Sequence, residues 1–370
     1  MERTKYIHDK LIKSTLTTEP TREDWDSYNL TGYKGFHEQG YKGERVKVAV
    51  IDTGILAIHD MFDDNVVEVR STTYYGEGLD DQGHGTHVCG TIARLAPKCT
   101  ILSYKALDYF GGGTSTKQVV KSITDAIRDA VARDADIISM SLGIKESELV
   151  RYGLLDDLKE AIQEAKDAEV FVCVSAGNDG VDPTEYYPSA FEGVTSVGAL
   201  DEWFSPAMFS SVTQHIDMCQ VGVDVMSASH ANPHCYLKMS GTSMAQPVVA
   251  GIIALLMDKY KAVVGGEIDC KEFYNNLLLR CVDLHEEGFD TKTGVGFLTL
   301  KENIKTIYYP YGKDVMIVNG VEKKIPLGMQ NMNFGTEEEP LWKSVLAVRE
   351  DNEEQGNSVT WQPVGVTIRC

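Results

Sequence analysis

The sequence predicts an α/β fold, with a doubly wound, mainly parallel sheet flanked by helices and a small C-terminal module with β character. Three observations lead to this prediction. Short apolar runs alternate with segments of helical period, the alternation stops near residue 306, and the 370-residue chain is longer than one typical domain. No internal repeat or low-complexity tract interrupts the pattern.

The first strand is predicted at 46–51, where an apolar run between two glycines suits a strand covered on both faces. Four similar runs follow at 100–104, 135–140, 170–174 and 194–197. Between the runs, 117–133 and 154–168 carry apolar residues at helical spacing. Ligands of such sheets bind beyond the carboxyl ends of the strands, so polar residues at those ends are candidates for a site.

The chain beyond residue 306 has a different pattern. A hairpin is predicted at 314–326 with Asn319-Gly320 as its turn, and another strand-like stretch lies at 358–368. We therefore expect three segments. They are an N-terminal arm at 1–22, a large domain at 23–308 and a small accessory module at 309–370.

Charge and composition limit the possible partners and location. The formal net charge of −20 makes nucleic acids and anionic membranes unfavourable partners, and the sequence contains no signal for oligomeric state. No apolar run is long enough for a signal peptide or a membrane span, so we expect a cytoplasmic protein. The eight cysteines are scattered without a CxxC pair, which favours free thiols in a reducing compartment.

The first two candidate residues follow the first predicted strand along the chain. Asp52 directly follows that strand and precedes Thr53-Gly54; the alternative is a turn or helix-capping aspartate. His84 lies between two glycines at the start of an apolar helical run. His87 is the alternative histidine, and we expect it to pack or to form a local hydrogen bond.

Two further candidates begin a helix and follow a strand. Ser243 precedes a long apolar helix, with Pro247 expected in its first turn, and the alternative role is an N-cap serine. Asn178 follows the strand at 170–174 and can donate from its side-chain amide; the alternative is a plain turn. A nucleophile, a base, an orienting carboxylate and an oxyanion donor are the groups that peptide hydrolysis needs.

Four motifs together resemble the subtilisin-like serine proteases (subtilases, peptidase S8 family). They are Val-Ile-Asp-Thr-Gly, His-Gly-Thr-His-Val-Cys-Gly-Thr, Ser-Ala-Gly-Asn-Asp-Gly and Gly-Thr-Ser-Met-Ala-Gln-Pro. The resemblance covers roughly 23–306 and has the family's Asp-His-Ser chain order. It implies a serine endopeptidase that acts through Asp52, His84 and Ser243 and an acyl-enzyme intermediate, with Asn178 supporting the oxyanion.

The resemblance also implies an extended protein or peptide substrate, held between two backbone edges by β-augmentation. The first edge is Gly111, Gly112 and Gly113, which could instead be a flexible loop, and the second is Ser141, Leu142 and Gly143. Ala176 and Gly177 lie beside Asn178. Tyr186 falls near the base of the primary pocket, where many relatives have small residues, so we expect a shallower pocket.

The sequence departs from the family in several places. Only about 22 residues precede the matching region, so 1–22 is either an arm or a short propeptide. The loop that binds calcium after the catalytic helix is missing, and Met61 replaces a ligating carboxylate. We therefore expect no required cofactor and no metal. Gln246 replaces a serine usual near the helix proline.

Two alternatives to a general endopeptidase remain. The first is a dedicated processing protease that cuts one precursor or partner. The second is a non-catalytic binding protein on the same fold, against which the complete set of catalytic residue types argues.

Overall fold

The computed structural model describes residues 16–73, 77–108, 115–284 and 288–301, together with the backbone of strands between 306 and 363. The chain divides into two compact units. The first comprises Met1–Cys281 and Gly288–Glu302, and the second comprises Val282–Glu287 and Asn303–Cys370. The predicted division into an arm at 1–22, a catalytic domain at 23–308 and an accessory module at 309–370 stays a prediction.

The helices and strands up to residue 301 alternate along the chain. The helices are α1 (Asp26–Leu30), α2 (Tyr33–Glu38), α3 (His84–Leu95), α4 (Thr116–Ala132), α5 (Glu146–Tyr152), α6 (Leu155–Asp167), α7 (Thr242–Val263) and α8 (Cys270–Leu278). The strands are β1 (Lys47–Asp52), β2 (Val66–Ser71), β3 (Thr100–Lys105), β4 (Ile137–Met140), β5 (Ile144–Lys145), β6 (Phe171–Ser175), β7 (Tyr186–Tyr187), β8 (Thr195–Leu200), β9 (Met218–Val221), β10 (Val225–Ala228), β11 (Tyr236–Met239), β12 (Cys281–Leu284) and β13 (Phe297–Leu298). Short 3₁₀ turns cover Glu23–Trp25 and Asp60–Phe62.

The central sheet of the first unit has the strand order β13-β9-β8-β6-β4-β1-β3-β2. Every neighbouring pair in this order is parallel. All five predicted strands and both predicted helices are present within a few residues of their expected bounds. The doubly wound α/β prediction is therefore confirmed.

Helices cover both faces of this sheet. Side chains alternate between the two faces along each strand, so successive residues of one strand pack into different cores. Val48 and Val50 of β1 pack into a core with α3 and α7. Ala49 and Ile51 pack into a second core with α4 and α6. The residues that follow Asp52 therefore lie at the carboxyl end of β1, between the two layers of helices.

The N-terminal segment of the first unit is anchored on an antiparallel hairpin formed by β10 and β11. Thr17 exchanges two backbone hydrogen bonds with Tyr236 of β11, at 3.0 and 2.8 Å. Tyr28 donates its hydroxyl to the carbonyl of Met226 in β10, at 2.7 Å. These contacts fix the hairpin relative to the chain that precedes β1.

The second unit is built from strands alone in its described part. They are residues 282–284 of β12 and the strands β14 (Thr306–Tyr308), β15 (Val315–Val318), β16 (Val321–Lys324), β17 (Leu327–Asn333), β18 (Trp342–Glu350) and β19 (Thr360–Pro363). Strands β15 and β16 pair antiparallel with Val318 opposite Val321, as the predicted hairpin requires. Its turn, Asn319-Gly320, lies outside the described residues.

Seven cysteines are free thiols, and four of them are buried: Cys89, Cys99, Cys173 and Cys219. Burial raises the pKa of the Cys173 thiol to about 12, so it stays protonated and unreactive. The eighth cysteine, Cys370, lies outside the described residues. Within the described ranges, no helix combines the length and apolar character needed to cross a membrane.

Candidate active site

Asp52 and His84 come from different elements and meet at the carboxyl end of β1. Asp52 is the last residue of β1 and is 1% exposed, and His84 is the first residue of α3. Nδ1 of His84 lies 2.8 Å from Oδ1 and 3.0 Å from Oδ2 of Asp52. A carboxylate only accepts hydrogen bonds, so this contact puts a proton on Nδ1 and leaves the lone pair on Nε2.

Ser243 is the second residue of α7 and its side chain is buried. Its hydroxyl donates to the main-chain oxygen of Ser141, at 3.3 Å. Ser141 directly follows β4, the neighbour of β1 in the sheet. The start of α7 therefore lies at the carboxyl ends of β1 and β4, the same end of the sheet as Asp52.

Pro247 lies deeper in α7 than the sequence indicated. We expected it in the first turn, where a missing N–H has no consequence, but it is the sixth residue of the helix. A proline there cannot donate to the carbonyl of Ser243, four residues earlier. The Ser141 hydroxyl, 2.9 Å from that carbonyl oxygen, supplies a donor instead.

Asn178 follows β6 and faces the first residue of α7. Its Oδ1 accepts from the backbone N–H of Thr242 at 2.9 Å and from the Thr242 hydroxyl at 3.0 Å. Because the amide group is planar, these two bonds fix its orientation. They direct the NH₂ group of Asn178 away from Thr242. This group lies at the N-terminus of α7, where the helix dipole favours negative charge.

Gln246 is a buried polar residue with a structural role that the sequence alone did not predict. Its Nε2 lies 2.9 Å from Oγ of Ser139 and 3.2 Å from the carbonyl of Cys173, and its Oε1 lies 2.8 Å from Oγ of Ser141. It therefore joins α7 to β4 and β6 one turn from Ser243. A glutamine on an otherwise apolar helix was the signal that could have identified it.

His87 has a structural position, as expected for the alternative histidine. It is completely buried, and its Nε2 lies 3.1 Å from the carbonyl of Val225 and 3.2 Å from that of Leu237. These bonds join α3 to the β10–β11 hairpin, so they reach further along the chain than the local contact we expected.

The predicted substrate-contact residues fall into two groups. Gly111, Gly112 and Gly113 lie outside the described residues. The others are buried: Ser141, Leu142 and Gly143 after β4, Ala176 and Gly177 after β6, and Tyr186 in β7. Of these, Ser141 contacts Ser243 directly, and the N–H of Gly177 donates to the hydroxyl of Thr242 at 3.2 Å. Tyr186 packs against Gly177, where an added Cβ would lie 3.2 Å from Cδ2 of its ring.

One polar residue of this region, Asp80, was not identified from the sequence. Asp80 lies in the loop before α3, and its carboxylate accepts from Thr53, Gln82, Gly83 and Thr86. A loop aspartate beside other polar residues has no periodic pattern, so only the folded structure identifies it.

Comparison with known proteins agrees with this geometry. The family model of the subtilase family (Peptidase_S8) matches residues 43–296. The chain belongs to the subtilase family. Like other members, it is a serine endopeptidase that acts on protein or peptide substrates.

Individual relatives of this subtilase include a subtilisin and an intracellular serine protease. It is 35% identical over 244 residues to subtilisin DY of Bacillus licheniformis, covering 62% of this chain and 83% of that protein. It is 33% identical over 285 residues to the intracellular serine protease of Paenibacillus polymyxa, covering 72% and 83%. The crystal structure of a lanthipeptide protease matches with a TM-score of 0.67 at 25% identity, covering 76% of this chain and 95% of that one.

Proposed function

We propose that Ser243 is the nucleophile of this endopeptidase, His84 its general base and acid, and Asp52 the carboxylate that orients His84. The observation that supports this assignment most directly is the double contact of Asp52 with Nδ1 of His84, at 2.8 and 3.0 Å. It gives His84 the tautomer whose Nε2 can take a proton from a serine hydroxyl.

The reaction then proceeds in two halves. Ser243 Oγ attacks the peptide carbonyl while its proton passes to Nε2 of His84. The Asn178 amide and the backbone N–H of Ser243 stabilise the oxyanion, a contribution of roughly 3 kcal/mol for one such donor. The C–N bond breaks, His84 protonates the leaving amine, and an ester forms on Ser243. Water, activated by His84, then hydrolyses this acyl-enzyme.

Covalent labelling with a fluorophosphonate tests the assignment. We expect Ser243 to be labelled, Ser243→Ala to abolish labelling, and Asp52→Asn to slow peptide hydrolysis by about 10⁴-fold. Ser240→Ala is the matched control, because Ser240 directly precedes the same motif and its hydroxyl oxygen accepts from the backbone N–H of Asp224 at 2.9 Å. Labelling that survives in Ser243→Ala would refute the assignment. An unlabelled intact protein would instead favour a non-catalytic binding role.

For specificity, we infer a pocket that accepts only small side chains at the cleavage position. Tyr186 is 4% exposed and packs against Gly177, the residue before Asn178. Its hydroxyl donates to the carboxylate of Asp179, which also pairs with Nζ of Lys145 at 3.4 Å. The same Nζ lies 5.6 Å from the ring centroid of Tyr186. A ring held by these contacts fills space that a substrate side chain would otherwise occupy.

Two variants test this inference. Tyr186→Gly opens the space, and burying a substrate phenylalanine there is worth about 2 kcal/mol, or roughly 30-fold in kcat/KM relative to alanine. Tyr186→Phe keeps the ring and removes only the hydroxyl, so the preference for small residues should persist. A wild-type enzyme that prefers large aromatic residues would contradict the inference.

A dedicated processing role is the second candidate, favoured by the structural similarity to a lanthipeptide protease and by the filled pocket. Digestion of unrelated unfolded proteins discriminates between the two candidates. A dedicated enzyme leaves most of these proteins intact, whereas a general endopeptidase degrades them at many small residues.

Location, metal requirement and the terminal segments are further proposals. Similarity to intracellular serine proteases favours a cytoplasmic enzyme. Only four residues, 96–99, join α3 to β3, and Met61 packs against the apolar core, which favours independence from calcium at this position. We propose an arm or short propeptide at 1–22 and an accessory role for 309–370.

A further inference from the structure

We propose that Asp80 is a positioning residue of the catalytic site, which holds His84 at Asp52 by clamping the start of α3 to the turn after β1. The inference rests on the proposed roles of Asp52 and His84. Asp80 lies in the loop that leads into α3, four residues before His84.

Asp80 forms a dense set of hydrogen bonds with its own loop. Oδ1 accepts from the backbone N–H groups of Gln82 at 3.0 Å and Gly83 at 2.8 Å. Oδ2 accepts from the N–H of Thr86 at 2.8 Å and from the Thr86 hydroxyl at 2.5 Å. The carboxylate therefore caps the first turn of the helix on both sides of His84.

The same carboxylate also reaches the residue that follows Asp52. Oδ1 of Asp80 accepts from the hydroxyl of Thr53 at 2.9 Å. The Thr53 oxygen in turn accepts from the N–H of Gly85 at 2.8 Å. Because a hydroxyl has a single proton, the bond to Asp80 directs a lone pair of Thr53 toward Gly85. The immediate neighbours of Asp52 and His84 are thus joined through Asp80.

Thr86 repeats this arrangement on the other oxygen. Its hydroxyl donates to Asp80 and accepts from the N–H of Leu56, at 3.0 Å. A second bond therefore runs from the helix to the chain after β1. Both series of hydrogen bonds, through Thr53 and through Thr86, require that each oxygen of Asp80 be an acceptor. A carboxylate has two acceptor oxygens, whereas an amide has only one.

The backbones around Asp80 lie in close contact. A Cβ added at Gly85 would lie 2.2 Å from the carbonyl oxygen of Gly54. A Cβ added at Gly54 would lie 2.5 Å from the oxygen of Gly78 and 3.0 Å from the nitrogen of Asp80. The backbones of three segments therefore pack against one another here, and the hydrogen bonds of Asp80 join these same segments.

The substitution Asp80→Asn keeps the size of the side chain but places an NH₂ group where N–H or O–H donors now point. We expect kcat on a peptide p-nitroanilide to fall roughly 10- to 100-fold with KM almost unchanged, since only the transition state needs the Asp52–His84 contact. The acidic limb of the kcat/KM profile should move to lower pH, because a more distant carboxylate stabilises the imidazolium less.

The decisive measurement repeats Asp80→Asn in an Asp52→Asn background. A positioning residue has little left to position there, so its effect on kcat should shrink to about twofold. If Asp80 supports only the general fold, the full loss persists in this background and the proposal fails. An unchanged kcat in the single variant, or a change confined to KM, also overturns it.

A second variant covers the case in which Asp80→Asn does not fold. Thr53→Val removes the hydroxyl between Asp80 and Gly85 and should show the same loss of kcat, whereas Thr53→Ser should recover most of it. The exposed Asp64 provides the matched control, and Asp64→Asn should retain normal kcat. If Asp52→Asn itself leaves kcat unchanged, the proposed function fails, an outcome distinct from a failure of the Asp80 proposal alone.

Discussion

Stability in mild acid should depend on His87, the buried histidine one turn after His84. Burial, with a contribution from the nearby His84, lowers the pKa of His87 to about 3. The unfolded chain binds a proton at this residue near pH 6.5, whereas the folded protein keeps the ring neutral. The stability linked to His87 is therefore complete above pH 6.5 and decreases as the pH falls toward 3.

The expected size follows from the separation of the two pKa values. At pH 5 the unfolded form has gained its proton and the folded form has not, so the free energy of unfolding is about 2 kcal/mol lower than at pH 8. Urea unfolding measures this difference. The Ser243→Ala background prevents autolysis, and His87→Gln in that background keeps a donor for the two carbonyls.

The comparison isolates His87 because every other group titrates in both proteins. The Ser243→Ala protein should lose about 2 kcal/mol more between pH 8 and pH 5 than the double variant does. Equal losses in the two proteins would refute the reasoning. They would mean that the pKa of His87 in the folded protein is close to its value in the unfolded chain, and that water reaches His87 between α3 and the hairpin.

Three other predictions concern the site and its support. Asn178→Ala should lower kcat roughly 10²- to 10³-fold while Ser243 still reacts with a fluorophosphonate, and unchanged kcat would exclude Asn178 as an oxyanion donor. Gln246→Leu should lower the free energy of urea unfolding by roughly 1 to 3 kcal/mol, because buried partners such as Ser139 lose their hydrogen bonds; a neutral effect would contradict the network. A calcium chelator should leave the Tm unchanged if the region of Met61 holds no stabilising ion, and a large decrease would contradict the proposed calcium independence.

Much of the first unit could be predicted because its elements have strong local patterns. The apolar run of β1 and the periodic residues of α4 and α6 are buried on defined faces, and that burial is visible in the sequence. Strand β2 was missed because it lies at the sheet edge, where Glu68 and Arg70 break the apolar run. Strand β13 was missed because it has only two residues.

The support of the site could be predicted less well than its chemistry. The sequence motifs pointed to Asp52, His84, Asn178 and Ser243, because each follows a strand or begins a helix. They did not point to Asp80, whose five hydrogen bonds depend on how a loop folds back on β1 and α3. The depth of Pro247 in α7 was misjudged because the first residue of a helix is poorly defined by sequence.

The sequence by itself determined the α/β fold class, the family resemblance and the types of chemical group available for catalysis. It did so because those properties depend on local pattern and on short motifs. Only the tertiary structure decided which groups meet. Asp52 in β1 meets His84 in α3, 32 residues away, and Ser141 after β4 meets Ser243 in α7, 102 residues away. These two contacts lie at the carboxyl ends of neighbouring strands because β1 and β4 are adjacent and parallel. The order of strands in a sheet depends on packing of the whole domain, which no single segment encodes.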